Sequence, residues 1–464
     1  MTEERVAHID GVLARALPGG SVFAVGGRVR DELRSELDGK PRAAKDLDYV
    51  VVGVELDDLI ARLRRVGSAD VVGASFAVVK VTLADVTVDV ALARRERSTG
   101  VGHRDFTVDA GPEVSLEDDL ARRDFRMNMM ARRLSDGALV DPYGGAGNVA
   151  ASLIDLLRPA AFEEDPLRML RACQFAARFE YTITPATMDA MRGAAPLAAT
   201  VSPERVRDEL IKFLAFAARP SLGVEAMREG GLVPFVWPEI AEGIGVEQNV
   251  YHAYDVYTHN LATLDAAEAG SVALRIAALL HDVAKPRTKD GPHFYRHEIV
   301  GAEMAREMLD RLRFANDLSD DVVRLVRHHM YAADPGQEAK TIRRFIRRIG
   351  TDLLENQFAL RAADIAGSGL PKRDGSNEAY QARVWAIVDE APALSVHDLA
   401  VGGEAVIAAL VRAGRLKAGS RGGKDVGIVL NRLLERVTDE PALNDETALT
   451  RILDDEVTAL ASTS

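Results

Sequence analysis

Two aspartates one residue apart, Asp46 and Asp48 in "KDLDYVVVG", are the first pair in this chain with an evident chemistry. In an extended strand residues i and i+2 share a face, so both carboxylates point the same way. Two such charges a few ångströms apart repel unless a cation lies between them. Magnesium is the expected cation, because it takes oxygen ligands and joins carboxylates to substrate phosphates. A third carboxylate, Asp89 in "TVDVA", lies on the face opposite Val88 and Val90 and is a candidate to join the pair; an exposed strand residue is the plain alternative. Upstream, Gly26-Gly27 closes "SVFAVGG" just ahead of a run with helical spacing. Glycine there lets backbone N–H groups approach a triphosphate, and a helix N-terminus favours anions.

Two further stretches supply groups that such a site needs. "LARRDFRMNMMARRL" carries Arg122, Arg123, Asp124 and Asn128. Asp124 and Asn128 stand four apart, so on a helix they face one ligand, with arginine alongside for phosphate or ribose. A surface helix of paired charges is the other reading. "AFEEDPLRMLRACQFAARF" carries Glu164, Asp165, Arg168 and Arg171. Asp165 and Arg168, three apart, suit either an ion pair within the helix or an acceptor and forked donor held to a base edge. Cytosine and adenine share an exocyclic amine beside a ring nitrogen acceptor, whereas guanine and uracil present a carbonyl there. Further on come His259, His281-Asp282, His297, His328-His329 and Asp364, in order along helical sequence. A single histidine on an apolar helix is usually a core or capping residue. A helical His-Asp dipeptide flanked by more of both suits a transition metal or magnesium instead.

The elements that must hold these groups divide the chain. The first 150 residues read as an α+β head with a small mixed or antiparallel sheet. In it "SFAVVKVTL" and "VTVDVALA" form a hairpin about Ala84-Asp85. Past "DPYGGAGNVAASL" the β signal fades into a mostly helical body. The expected divisions are 1–150 for the head, 151–245 for a helical neck, 246–370 for the histidine-bearing domain and 371–464 for a helical tail. The net charge of −13 argues against indiscriminate nucleic-acid binding, but leaves room for a local basic groove. Two basic runs, "RRFIRR" at Arg343–Arg348 and "RLKAGSRGGK" at Arg415–Lys424, read first as solvated faces; the glycine-rich second also suits RNA phosphates. The charged start "MTEERVAHIDG" lacks the apolar core of an export signal, and no apolar run nears the ~20 residues of a membrane span. One cysteine, Cys173, excludes an internal disulfide and a zinc-thiolate cluster; a cytoplasmic setting is expected.

Taken in order, "VGGRVRDEL", "KDLDYVV", "VDVALARRE", "GHRDFTV", "LARRDFRMN", "DPYGGAGNVAASLIDLLR", "FEEDPLRMLRACQFAARF" and "SPERVRDEL" resemble the class II tRNA nucleotidyltransferase and poly(A) polymerase family across Val25 to Leu210. The resemblance implies metal-dependent transfer of CMP and AMP from CTP and ATP to the 3′ end of tRNA. It makes Asp46 and Asp48 the magnesium ligands and catalytic pair, and Gly26, Gly27 and Arg28 the triphosphate turn. It sets Arg123, Asp124 and Asn128 at the ribose and phosphates and Asp165 and Arg168 at the base, with Arg171 among the nucleotide-binding residues. Arg95 to Glu113 resembles the loop that helps the family pass from CTP to ATP. "FRMNMMA" departs from the family's usual Thr-Ile-Asn-Ala, which implies altered packing around Asp124 and Asn128. Asp255 to Gly369 resembles the HD phosphohydrolase superfamily, which implies a divalent metal (nickel, manganese or magnesium) on His259, His281, Asp282 and Asp364, with His297 and His328 extending the site. Lys285 is then the candidate for a substrate phosphate, and hydrolysis of 2′,3′-cyclic phosphates, phosphomonoesters or phosphodiesters is the implied activity. A degenerate, structural HD domain is the alternative. So are an A-adding or CC-adding enzyme, a poly(A) polymerase, a non-catalytic tRNA-end binding protein, and an HD hydrolase whose head only holds RNA. The interval from Arg95 to Arg122 is not truncated, which favours CCA or A addition, and the acidic chain lacks basic extensions of the poly(A) polymerase kind.

Overall fold

Unbroken apolar residues mark a strand covered on both faces, and Val22–Val25 forms one, β1, buried along its length. The other strands are β2 (Asp48–Val51), β3 (Ser68–Val72), β4 (Val78–Leu83), β5 (Val86–Leu92), β6 (Arg94–Ser98), β7 (Phe106–Ala110), β8 (Ala131–Arg133) and β9 (Leu139–Val140). The computed structural model describes residues 1–42, 47–72, 78–98, 106–371, 375–390 and 393–460. The chain divides into two units, Met1–Ala241 with Arg311–Arg313, and Glu242–Asp310 with Phe314–Ser464.

The first unit holds a seven-stranded sheet in the order β3-β4-β5-β2-β1-β8-β9. Its pairs are antiparallel except β2 with β5, so the sheet is mixed, as the sequence suggests. The β4–β5 hairpin turns at Ala84 and Asp85, both at positive φ, which matches the right-handed twist of the two strands. Phe23, Val25, Val50, Ala93, Leu116, Leu120 and Met129 pack together into one core against the sheet. β6 and β7 pair antiparallel in the segment read as the CTP-to-ATP loop, whose residues 99–105 lie outside the described ones.

Two local readings change. The "RRDFRMN" stretch is not one helix: helix Leu116–Ala121, capped by Ser115, ends at Arg122, and a bend leads to a 3-10 turn at Arg126–Asn128. Asp165 is likewise off the helix of Arg168. It stands extended between the short helix Ala161–Glu164 and helix Leu167–Phe179, because Pro166 restricts the residue before it.

The second unit is helical. Helix Val256–Ala266 packs against Val272–Leu280 and Leu354–Gly367. The close crossing depends on Gly367, where a Cβ would lie 2.4 Å from Thr263 Oγ1. Residues from Ala393 to Leu460 build a further apolar cluster around Val406, Leu433 and Leu453. The "RRFIRR" run closes a helix end: Arg343 donates to the carbonyls of Thr438 and Asp439, and Arg344 pairs with the Asp439 carboxylate at the end of helix Lys424–Asp439. Among the described residues no helix is long and apolar enough to cross a membrane.

Two candidate active sites

In the head, β2 begins at Asp48, and its register sets that residue opposite Asp89 of β5. Val88 and Val90 are buried, while Asp89 keeps 43 % of its side chain exposed and stands 3.8 Å from Lys80. Asp46 lies outside the described residues. Gly26 caps helix Gly27–Asp38 with φ 73°, a left-handed value that glycine takes freely. A Cβ on Gly26 would come within 3.3 Å of Arg123 Nη1 and 3.7 Å of Asp48 Oδ2. Turn, carboxylate and guanidinium therefore meet at one point.

Arg123 is held there by a residue the sequence reading missed. Asp119, with no exposed surface, accepts from Arg123 Nη2 at 3.0 Å and from Arg122 Nη2 at 2.8 Å. Burial works against its charge, yet the two arginines keep its pKa below the usual carboxylate value. The signal was present: Asp119 lies three and four residues before the arginines on one helix face. Arg28, by contrast, turns away from phosphate duty. Its guanidinium binds Asp10 at 2.5 Å, Glu32 at 2.7 Å and Tyr49 Oη at 3.2 Å, leaving its backbone as its share of the turn.

Asp124 and Asn128 do come together, but inside the protein. Asp124 accepts from Asn128 Nδ2 at 2.8 Å, from its neighbour's backbone Phe125 N at 2.8 Å and from Arg171 Nη2 at 2.6 Å. Asn128 in turn accepts from Arg30 Nη1 at 2.8 Å. Burial would raise the Asp124 pKa, but Arg171 and these hydrogen bonds lower it from 3.8 to about 2. A depressed carboxyl contributes stability above its unfolded pKa that is lost as the pH falls through the folded one, here on the order of 2 kcal/mol. Chemical denaturation of wild type and Asp124→Asn between pH 5 and pH 2 should therefore show stability falling toward pH 2 in the wild type and a flatter profile in the variant. Equal slopes would reject the role of this carboxylate.

Asp165 and Arg168 make no ion pair with each other. Arg205, from helix Pro203–Phe216, reaches Asp165 Oδ1 at 3.2 Å. Arg168 is 8 % exposed, donates to the Arg122 carbonyl, and keeps Nη1 buried without a hydrogen-bond partner. Arg171 lies between Asp124 and Glu209, the latter at 3.7 Å. An acceptor thus stands three residues before a forked donor that touches the Arg122 carbonyl and whose Nη1, among the described residues, has only Glu164, at 3.9 Å, as an ion partner.

The second site is built from four histidines with one shared logic. Nδ1 of His259 lies 3.2 Å from the Gly367 carbonyl, of His281 2.9 Å from Ala278, of His297 2.7 Å from Phe294, and of His329 2.7 Å from Val326. A carbonyl only accepts, so each Nδ1 carries a proton, and a ring in its neutral form, the form that ligates metal, presents the Nε2 lone pair. Those lone pairs converge: His259 and His281 Nε2 are 3.1 Å apart, His297 and His329 Nε2 3.2 Å. Such an approach suits a cation between them. Asp282 serves both pairs. Its Oδ2 lies 3.5 Å from His259 and 3.3 Å from His281, its Oδ1 3.3 Å from His297 and 3.6 Å from His329. Asp364 Oδ1 adds a carboxylate 3.2 Å from His259 Nε2. Burial opposes charge on both carboxyls, but the imidazoles against them, His281 first at Asp282 and His259 first at Asp364, hold their pKa values well below the usual range. The donor set fits divalent metal in two groups, His259–His281–Asp282 and Asp282–His297–His329.

Three assignments shift here. His329, not His328, enters the cluster, because helix Asn316–Arg327 ends at His328 and the following residue turns inward. Lys285 binds the cluster itself, 2.6 Å from Asp282 Oδ2 and 2.6 Å from Gln248 Oε1. His252, unremarked in the sequence, stacks edge-on to His259 at 4.6 Å between ring centres and joins His259 and Asp364.

Residues 22–155 match the family described as the poly A polymerase head domain, 180–244 the probable RNA and SrmB-binding site of polymerase A, and 250–365 the HD domain. The multifunctional CCA protein of Azoarcus sp. (strain BH72) is 36 % identical over 361 residues, covering 75 % of this chain and 84 % of that protein. That of Ralstonia nicotianae is 37 % identical over 383 residues, covering 79 % and 85 %. Among solved structures, the Bacillus stearothermophilus CCA-adding enzyme in complex with CTP is similar over 100 % of both chains, with a TM-score of 0.65 and 21 % identity. The Thermotoga maritima CCA-adding enzyme complexed with tRNA matches 99 % of this chain and 96 % of its own, with a TM-score of 0.56 and 19 % identity.

Proposed function

The chain belongs to the multifunctional CCA protein family, with a poly(A) polymerase-type head and an HD domain, and on that premise we propose that it builds and repairs the 3′-terminal CCA of tRNA from CTP and ATP. The observation that carries this is the meeting of Asp48, Arg123 and the Gly26 turn. In the reaction the tRNA 3′ hydroxyl attacks the α-phosphorus, its proton leaves, and the bond to pyrophosphate breaks. Magnesium on Asp48, with Asp46 and Asp89 as further carboxylates, would lower the pKa of the hydroxyl and neutralise the leaving group. The carboxylate oxygens suit that hard ion. Backbone N–H groups at Gly26-Gly27 and the helix they open bind the triphosphate. Arg123, fixed by Asp119, offers a donor to the developing negative charge.

Asp165 and Arg168 then select the base. The carboxylate accepts from the amine that cytosine and adenine share and repels the carbonyl of uracil. Asp165→Ala is expected to lower kcat/KM for CTP at least about tenfold and to narrow the preference for CTP over UTP. An unchanged CTP-to-UTP ratio, measured with one tRNA primer, would contradict the assignment.

A second activity is favoured by the convergence of four Nε2 atoms on Asp282. We read the HD cluster as a metal-dependent phosphohydrolase site, with nickel, manganese or magnesium on His259, His281, Asp282 and Asp364 and a second ion on Asp282, His297 and His329. Bound metal would supply a hydroxide nucleophile at neutral pH. The chain's own residues orient the ring nitrogens, and Lys285 balances charge on Asp282. Cleavage of 2′,3′-cyclic phosphate at a damaged tRNA end is the activity that suits its fusion to the head. A cytoplasmic place of action fits both chemistries.

A further inference from the structure

Helix Leu167–Phe179 carries a stripe that the nucleotide chemistry does not use up. Arg168, Arg171, Phe175 and Arg178 follow at steps of three, four and three residues, so they share one face. The stripe starts at the base-selecting arginine and ends about 15 Å away, ten residues at the helical rise. At that far end three guanidinium groups gather on one ring. Arg30 lies 4.4 Å, Arg34 4.2 Å and Arg178 5.4 Å from the Phe179 centroid. Arg30 and Arg34 share the Asp31 carboxylate, at 3.0 Å and 3.5 Å. Among the described residues Arg178 has no carboxylate within ion-pair distance. Burial, then the like charge of Arg30, loosens its hold on its proton. Three cations stand around Asp31, and the other carboxylate that acts on Arg178, Glu209, is itself paired with Lys212 and Arg171, so a local positive excess remains in a chain of net charge −13.

Beside this excess stands an aromatic face. Phe216, at the end of helix Pro203–Phe216, exposes 64 % of its surface, and Arg178 lies 6.0 Å from its ring centre. Phe216 also falls inside residues 180–244, the span that matches a probable RNA-binding segment. A positive group that tracks phosphate, next to a solvent-exposed ring that takes a base, is the arrangement by which unpaired strands are held.

We propose that Arg178 and Phe216, with Arg34 beside them, form a subsite for the unpaired 3′ strand of the RNA substrate, Arg178 taking a phosphate and Phe216 the face of a base. The subsite rests on the reading that the chain binds tRNA. It adds to that reading a second grip, a few nucleotides from the reacting end, that keeps the strand in line with Asp165 and Arg168.

Fluorescence anisotropy with the full chain and labelled tRNA, at several salt concentrations, tests it. Arg178→Ala is expected to reduce the slope of log K against log salt by about one, and Arg178→Lys to restore it. Phe216→Ala is expected to weaken binding about tenfold with the slope unchanged, and only for tRNA that carries its unpaired 3′ end. Its side chain is exposed, so its removal leaves the core intact. Wild-type protein that fails to bind tRNA would overturn the tRNA reading and the subsite together. Wild-type binding with Arg178→Ala and Phe216→Ala superimposed on it, in affinity and slope, would overturn the subsite alone.

Discussion

Asp48→Ala should abolish CMP and AMP incorporation, by about a thousandfold or more, while tRNA affinity stays within about twofold. Asp48 opens β2 beside the Gly26 turn and faces Asp89 in register, which is where the proposed reaction needs a carboxylate to hold metal against the triphosphate. In phosphoryl transfer the protein contributes positioning and charge neutralisation, and both act through the ion. Losing a ligand at the exposed first residue of the central strand β2 leaves the core of Phe23, Val25 and Val50 untouched, so the fold and the RNA contacts should persist. Single-turnover incorporation on a tRNA lacking its terminal adenosine, with tRNA binding measured in parallel, decides it. A variant with near-normal incorporation would remove Asp48 from the chemistry; one that loses tRNA binding as well would make its role structural.

The second large effect belongs to Asp282→Asn. Among the described carboxylates this one spans both histidine pairs, one through each oxygen. The amide has the shape of the carboxyl but turns a donor toward one pair of lone pairs and removes the charge that balances metal. Release of phosphate from 2′,3′-cyclic AMP should fall by about a thousandfold, and metal bound per chain, read by elemental analysis, should drop with it. Nucleotide addition should continue at the wild-type rate, since the head's groups lie on other elements. Persistent hydrolysis with Asn at 282 would contradict the metal reading. Loss of both activities would indicate collapse of the fold.

How far these sites were legible depended on how local their geometry is. The β4–β5 hairpin follows from period-two alternation and a turn at Ala84-Asp85, all close in sequence. The parallel β2–β5 register that sets Asp89 opposite Asp48, by contrast, joins residues far apart in the chain and has no such local signal. The histidine cluster was legible in type and order, because metal chemistry needs those residues. Its last member was not: His328 and His329 differ only in which way a helix end turns, and a one-residue choice at a C-cap has no signature in composition. The same holds at Arg122, where the helix stops early. Asp124 and Asn128 still meet, although through a bend and a 3-10 turn rather than along a helix. Arg28 misled for another reason. Arginine suits phosphate anywhere, and nothing local reveals that Asp10, eighteen residues earlier, takes its guanidinium. Arg205 on Asp165 is a long-range contact of the same kind, set by packing between helices.

The chain's length and its two sites also frame what one protein does at a tRNA end. The head adds nucleotides, and the activity we propose for the HD cluster, removal of a terminal phosphate, would clear an end that blocks addition. The Arg178–Phe216 pair extends the grip on the strand that both reactions need, if one tRNA end is presented to each in turn.

The most direct measurement is a count of added nucleotides. tRNAs ending before, within and after CCA are incubated with CTP, with ATP and with both, and the products are resolved at single-nucleotide length. The account predicts CC from CTP alone on the shortest tRNA, one adenosine on tRNA already ending in CC, full CCA with both nucleotides, and no extension of the complete end. No incorporation under any of these conditions, or a run of adenosines beyond the first, would contradict it.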